Sequence, residues 1–320
     1  MFAVRSTLAA ALFAFAGTAL AQAYPNKPVK IIVGFAPGSA TDILARVAAD
    51  YFSKSMGQPF VIENKPGAGG SVGTAQAKEA APDGYTLVAA GSGPFGINPA
   101  IQSKLPYDPL KDFELIGNIV LTPQAIVVGA GAPYKTLGEL VAAAKAKPGE
   151  IPYASLGNGS TSHLTMEALQ STAGIKLNHI PFKGGAEAQT QIIGGAFPVM
   201  SDTITGVRTQ VMGGKLRPLG VAIPQRSPYI DVATISEQGY KGFESVGWIG
   251  LCAPAGTPPA ILDKLNAEVR KFLGSPEAKE KFSQQAAIIV GNSRQEFAAW
   301  IKAEIAKWSK VAKESGAKAD

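Results

Sequence analysis

The sequence predicts an α/β protein of two lobes, each a mostly parallel sheet flanked by helices, with a cleft between them. Three observations lead there. Short apolar strand-like runs alternate with helical segments over most of the chain. The pattern strand, Gly/Ser loop, helix start occurs twice, at Gly34 to Asp42 and at Ser155 to His163. The 320 residues are enough for two lobes of ordinary size.

Val29 to Phe35 is a continuous apolar run of strand length. Ile43, Leu44, Val47 and Tyr51 make one stripe of a helix over Thr41 to Ser55. Phe60 to Glu63 predicts a second strand, the turn Pro66 to Gly70 a helix through Lys78, and Tyr85 to Ala89 a third strand. This βαβαβ order implies parallel strands with right-handed crossovers.

A second set follows. Strands are expected at Ala125 to Val128, Ile151 to Ser155, Lys176 to Ile180, Phe197 to Met200 and Leu216 to Ala222. Helices are expected at Leu137 to Lys145, Ser162 to Ala173, Ala186 to Ile193 and Val207 to Met212. Ser245 to Leu251 reads as a last strand. Two or three amphipathic helices follow Pro254 to Pro259 and return to the first lobe. One presents Ile261, Leu262, Leu265, Val269, Phe272 and Leu273; another presents Phe297, Trp300, Ile301, Ile305 and Trp308. The division expected is residues 24–123 plus 247–320 for one lobe and 124–246 for the other.

The N-terminus sets the compartment. One cation, Arg5, precedes the apolar stretch Leu8 to Leu20, which is too short to span a bilayer. Small-x-small patterns at Ala19 to Ala21 and Ala21 to Ala23 predict a signal peptide over residues 1–23, cleaved after Ala21 or Ala23. A periplasmic protein is expected. Cys252 is the single cysteine, so no internal disulfide forms, and its apolar surroundings make it a buried small residue.

Charged residues are 17% of the chain, and the net charge is +6. The cations are dispersed, with no basic stripe interleaved with aromatics, so nucleic acid is not an expected partner. The excess favours anionic small ligands. The two histidines and one cysteine have no metal-ligand spacing. Neither a metal nor another cofactor is expected, and a monomer is.

The first loop, Phe35-Ala36-Pro37-Gly38-Ser39-Ala40-Thr41-Asp42, leaves a strand's C-terminal end, the edge where open α/β sheets bind ligands. Gly38 admits a close backbone approach. Ser39, Ala40 and Thr41 present N–H groups at the positive end of a helix, and Asp42 caps or braces the loop. An ordinary helix cap explains Thr41 and Asp42, and explains Pro37 to Ser39 less well. The second loop carries Ser155, Gly157, Gly159, Ser160 and His163. It lacks the spacing and the lysine of a P-loop, so a carboxylate fits better than a nucleotide phosphate. His163 either donates to the ligand or orders its own loop. Ser92, Lys183 and Asp202 follow other strands and are further pocket candidates, each with a plain reading as turn or surface. Phe35, Phe95, Phe182 and Trp248 are candidate apolar walls.

Gly69-Gly70-Ser71-Val72-Gly73 matches the Gly-x-Ser-x-Gly nucleophile elbow and raises a Ser71 hydrolase as the enzyme alternative. Its partners are thin, since His163 and His179 are the only histidines and each has another task. No catalytic residue is expected. The other alternative is a ligand-sensing subunit for a signalling kinase.

Taken together, the chain resembles the Bug-type receptors of tripartite tricarboxylate transporters, the Bug/TctC family. The likeness runs from Tyr24-Pro25-Asn26-Lys27-Pro28 nearly to the C-terminus. It is carried by the Pro37-Gly38-x-x-x-Asp42 loop, Val61 to Gly70, Ala81 to Leu87, Leu105 to Pro109 and Asp112-Phe113. Ser155-x-Gly157-x-Gly159-Ser160, His163-Leu164, Pro181 to Gly184 and Pro254 to Pro258 continue it. The resemblance implies a type II periplasmic-binding-protein fold closing on a di- or tricarboxylate, an acidic amino acid or an aromatic acid. It also implies membrane permease subunits as partners. It places the carboxylate grip on Ala36, Pro37, Gly38, Ser39, Thr41 and Asp42, and on Gly157, Gly159, Ser160 and His163. The sequence departs at Ser39, where the family usually has a second glycine, and at Pro198, where a polar residue is common.

Overall fold

A computed structural model describes residues 24–317. The signal peptide and its cleavage site fall on residues 1–23, outside the described residues. Among the described residues, no helix is long and apolar enough to cross a membrane.

In chain order the first elements are β1 (Val29–Val33), α1 (Ala40–Met56), β2 (Phe60–Asn64), α2 (Ser71–Lys78) and β3 (Thr86–Gly91). A π-turn over Ser92–Ile97 leads into the short α3 (Asn98–Ile101). The long strand β4 (Phe113–Gly129) comes next. Then follow α4 (Leu137–Ala146), β5 (Pro152–Ser155), α5 (Thr161–Ala173), β6 (Asn178–Pro181), α6 (Gly185–Ile193), β7 (Val199–Thr203), α7 (Ile204–Met212) and β8 (Leu216–Val221). The chain closes with β9 (Val246–Pro254), α8 (Pro259–Gly274), α9 (Pro276–Gln284), β10 (Ile288–Ile289) and α10 (Arg294–Ser315).

The strands run β2-β1-β3-β9-β4-β7-β5-β6, with β10 and β8 also paired to β4. Parallel pairing holds for β2-β1-β3 in one lobe and β7-β5-β6 in the other. Between them β9 and β4 run antiparallel to their neighbours, so the sheet is mixed.

Strand β4 serves both lobes. Its residues up to Pro123 pair with β9, and those from Gln124 on pair with β7 and β8. Only Ala125 to Val128 was legible as strand. Proline cannot donate to a ladder, and Pro123 lies within the continuous strand at the point where one lobe's sheet gives way to the other's. The two-residue β10 was not legible either.

Each lobe buries both faces of its sheet, as the period of two requires. In the first lobe Ile31, Val33 and Leu87 pack beneath α1, α8 and α9 with Phe52, Phe272 and Phe282. Ile32, Val88 and Ala90 face the other way, toward Phe95, Phe297 and Ile301. In the second, Ile126 and Val128 meet α4 and α5 through Leu140 and Met166, while Ala125 and Val127 meet α6 and α7 through Ile192 and Val207. The closing helices α8 and α9 return to the first lobe. Helix α10 reaches further: Trp308 and Ala312 join Ile97 and Ile101 of the first lobe to Leu164 of α5 in the second.

Candidate functional site

Two loops face each other across the cleft, and both are built the same way. Ser39 caps α1, its Oγ accepting the Asp42 N–H at 3.3 Å, while its carbonyl takes the Ile43 N–H. A helix start leaves four N–H groups without intrahelical partners. Here the first-turn groups still unpaired are those of Ala40 and Thr41. Ser160 caps α5 likewise, accepting the His163 N–H at 3.2 Å, with its carbonyl on the Leu164 N–H. That leaves the N–H groups of Thr161 and Ser162.

Ala40, Thr41, Thr161 and Ser162 all line one cavity. Ser39, Ser92, Thr122, Gln124, Ser160, Asp202, Thr203 and Trp248 complete its polar and aromatic wall. The cavity has a volume of about 60 Å³. At about 10–15 Å³ per water, that holds a few waters or a compact ligand. Phe35 and Leu156 separate it from an outer recess of about 720 Å³, where Ala36, Gly157, Phe182 and Lys183 lie.

Among the described residues no Lys or Arg lines the inner cavity, and Asp202 is its one ionisable side chain. Burial pushes the Asp202 carboxyl up to about 6, against the Thr203 N–H at 2.7 Å, Gln189 Nε2 at 3.1 Å and the Thr203 hydroxyl at 3.4 Å. The cavity therefore meets a negative ligand with backbone dipoles and neutral donors, an arrangement suited to a carboxylate.

The remaining expected residues stand behind this wall. Asp42 is buried and accepts from the Gly38 N–H at 2.9 Å, from Arg46 Nε at 3.0 Å and from Asn64 Nδ2 at 2.9 Å. The same Asn64 amide donates to the Phe35 carbonyl at 2.9 Å. Burial raises the Asp42 carboxyl, but the bonds from Arg46, Gly38 and Asn64 outweigh it and hold the group below its ordinary value. Asp42 thus braces the first loop, including Pro37 and Gly38, from behind.

His163 does the same for the second loop. Its Nδ1 accepts the Gly159 N–H at 3.3 Å, and its ring stacks on His179 at 4.0 Å, nearly parallel. His179 stacks in turn on Tyr153 and sits 2.6 Å from Ser155 Oγ, which accepts the Gly157 N–H at 3.2 Å. Burial, reinforced by the neighbouring His179, lowers His163 to about 3, and burial lowers His179 to about 4. Both rings are neutral at pH 7. Phe95, expected as a wall, lies in the core against Tyr107 and Phe113.

The third glycine segment is a ledge for the second loop. A β-carbon on Gly69 would stand 2.6 Å from the Asn158 carbonyl oxygen, and one on Gly93 3.3 Å from that of Gly159. Ser71 accepts from Asn98 Nδ2 at 2.6 Å and lies 3.4 Å from Gln102 Oε1 and from the Tyr107 hydroxyl. Its hydroxyl has neither histidine for a partner, because both are stacked behind the second loop.

Thr122, Gln124 and Thr203 were missed in the sequence. Their signal was a polar residue at the end of an apolar strand run, which also marks an ordinary turn.

Against known proteins, the model of the tripartite tricarboxylate transporter family receptor matches residues 44–317. Protein BugT of Bordetella pertussis (strain Tohama I) is 34% identical over 300 residues, covering 93% of this chain and 92% of that protein. An R. palustris protein solved with adipate superposes with a TM-score of 0.89 at 32% identity, over 92% of this chain and 98% of that one. MatC from Rhodopseudomonas palustris, solved with bound malate, gives 0.85 at 31% identity, over 90% and 99%.

Proposed function

Because this chain belongs to the tripartite tricarboxylate transporter receptor family, we propose that it captures a small carboxylate in the periplasm for the membrane subunits of such a transporter. The observation that carries this reading is the pair of helix starts on opposite lobes, with four unpaired N–H groups on one cavity that no cationic side chain among the described residues lines. The adipate and malate bound by two relatives of the same fold support the ligand class.

In this reading residues 24–123 with 247–320 and residues 124–246 move as two bodies. They hinge at Pro123–Gln124 and in the connection between β8 and β9. Each lobe brings one helix start, so the full set of donors exists only when the cleft is closed. A ligand that bonds both lobes shifts the population toward the closed form, which a membrane partner can read.

A thermal-shift screen of the purified protein against mono-, di- and tricarboxylates, aromatic acids and neutral amide analogues tests it. At a hundred times Kd a ligand adds about 2.7 kcal/mol, a shift of about 5 °C for a chain of this size. A shift with one acid class and none with its amides is expected. Shifts with the amides alone would sink the carboxylate assignment.

A further inference from the structure

Gln124 is the first residue of β4 to pair in the second lobe, opposite Thr203 of β7. Its backbone is held by the other chain crossing as well. Its N–H donates to the Ser245 carbonyl at 3.2 Å, and its carbonyl accepts the Ala222 N–H at 2.9 Å. The side chain starts from the point where all chain segments joining the lobes meet, so its position is fixed by backbone rather than by a flexible loop.

That side chain is 1% exposed and lines the inner cavity. Its Oε1 accepts from the Ser201 hydroxyl at 3.2 Å. Its Nε2 has no acceptor among the described residues. A side-chain donor that faces a ligand cavity and has no protein acceptor is a reason to look for the acceptor in the ligand. The rest of the wall offers no equivalent: the Trp248 indole N–H is spent on Glu304, and the other side-chain donors are hydroxyls.

We propose that Gln124 is a specificity-determining residue whose Nε2 donates to an acceptor oxygen of the bound acid, at the strand that joins the lobes. The proposal rests on the carboxylate-receptor reading above. It adds a contact to the floor of the cleft, apart from both helix starts. Through it the ligand is bonded to the hinge strand itself. The preferred acid is therefore one with an oxygen positioned away from the carboxylate held at the helix starts. Acids whose remainder is wholly apolar leave Nε2 unpaired and bind more weakly.

Isothermal titration of L-malate, succinate and adipate into the wild type and three variants tests this. Gln124→Met removes the donor and the Ser201 partner together. Gln124→Glu keeps an acceptor for Ser201 but sets an oxygen where the donor was. Ser201→Ala removes the internal bond alone. The expected result, at pH 8, is a Kd about tenfold weaker in Gln124→Met for each acid the wild type binds. A larger loss is expected in Gln124→Glu, and none in Ser201→Ala. An unchanged Kd in both Gln124 variants overturns the proposal. So does a loss in Ser201→Ala equal to that in Gln124→Met, which would make Gln124 a purely structural residue. If Gln124→Met melts early, Gln124→Glu decides alone. Where the wild type binds none of the three, the acid giving the largest shift in the thermal-shift screen takes their place; a wild type that shifts with no acid overturns the parent reading, and this one with it.

Discussion

The side-chain oxygen of Asn98, in the first lobe, lies 2.1 Å from where a β-carbon on Gly159 of the second would stand. Gly159 also has φ +74°, a conformation that side chains disfavour. Asn98 is not free to retreat, since its Nδ2 is bonded to Ser71 Oγ at 2.6 Å and to the Ala68 and Gly69 carbonyls. Gly159→Ala should therefore hold the lobes apart while each stays folded. Carboxylate affinity should fall by more than about tenfold, the equivalent of one lost charge-assisted bond. Small-angle scattering of the variant with ligand should keep the open profile. A closed profile with wild-type affinity would show that this contact does not limit closure.

Asp42→Ala tests the brace of the first loop. The Gly38 N–H, Arg46 and the Asn64 amide all lose an acceptor. Arg46 is half exposed and recovers water, so its share is small. The rest should cost about 2 kcal/mol of stability. Affinity should drop too, although Asp42 does not line the cavity. Calorimetric melting and ligand titration on one preparation check both; a loss of stability with unchanged Kd would assign Asp42 to the fold alone.

Acid should destabilise the protein between about pH 6.5 and 4. His163 and His179 fall from an ordinary 6.5 to about 3 and about 4 when folded. In that window the unfolded chain binds more protons, so stability is full above 6.5 and is lost as pH falls toward the folded values. Each ring contributes a slope of up to about 1.4 kcal/mol per pH unit. Asp202, raised from 3.8 to about 6, works in the opposite sense between those values and offsets one of the two slopes. Asp42, held low, adds to the loss only below its ordinary 3.8. Urea midpoints at pH 7, 6 and 5 should fall in that order, and His179→Asn should flatten the trend. Equal midpoints in the wild type would mean the two rings are not held neutral by burial.

The parts of this protein legible in its sequence are those that follow from local chemistry. Val29 to Val33 reads as a strand because its apolar run is buried on both faces, and the Ser39 and Ser160 caps announce helix starts. What was not legible depends on distant contacts. Thr122-Pro123-Gln124 has no strand signal of its own and is strand because β9 and β7 pair on either side of it. Asp42 reads as a cap or brace and His163 as either a ligand donor or a residue that orders its own loop. The positions of Arg46, Asn64 and His179 decide for the loop in both cases. Gly69 looks like part of a nucleophile elbow until the second lobe's loop is found resting on it.

Glu304 offers a test of how far the cavity wall depends on the C-terminal helix. Its Oε2 accepts two indole N–H groups, from Trp248 at 3.1 Å and from Trp308 at 2.9 Å, and all three residues are buried. Trp248 lines the cavity, while Trp308 packs with Ile97 and Leu164 between the lobes. Glu304→Ala leaves both indole donors without an acceptor, at about 1–3 kcal/mol each, and should lower the melting temperature by about 5–10 °C. Glu304→Gln keeps an accepting oxygen and loses only the charge, so it should cost less than half as much. Because Trp248 lines the cavity and is oriented by Glu304, Glu304→Ala should also weaken carboxylate binding, and ligand-induced change in tryptophan emission should shrink with it. If both variants melt alike, the paired indole bonds are not what holds the helix, and the apolar contacts of Trp308 must carry it.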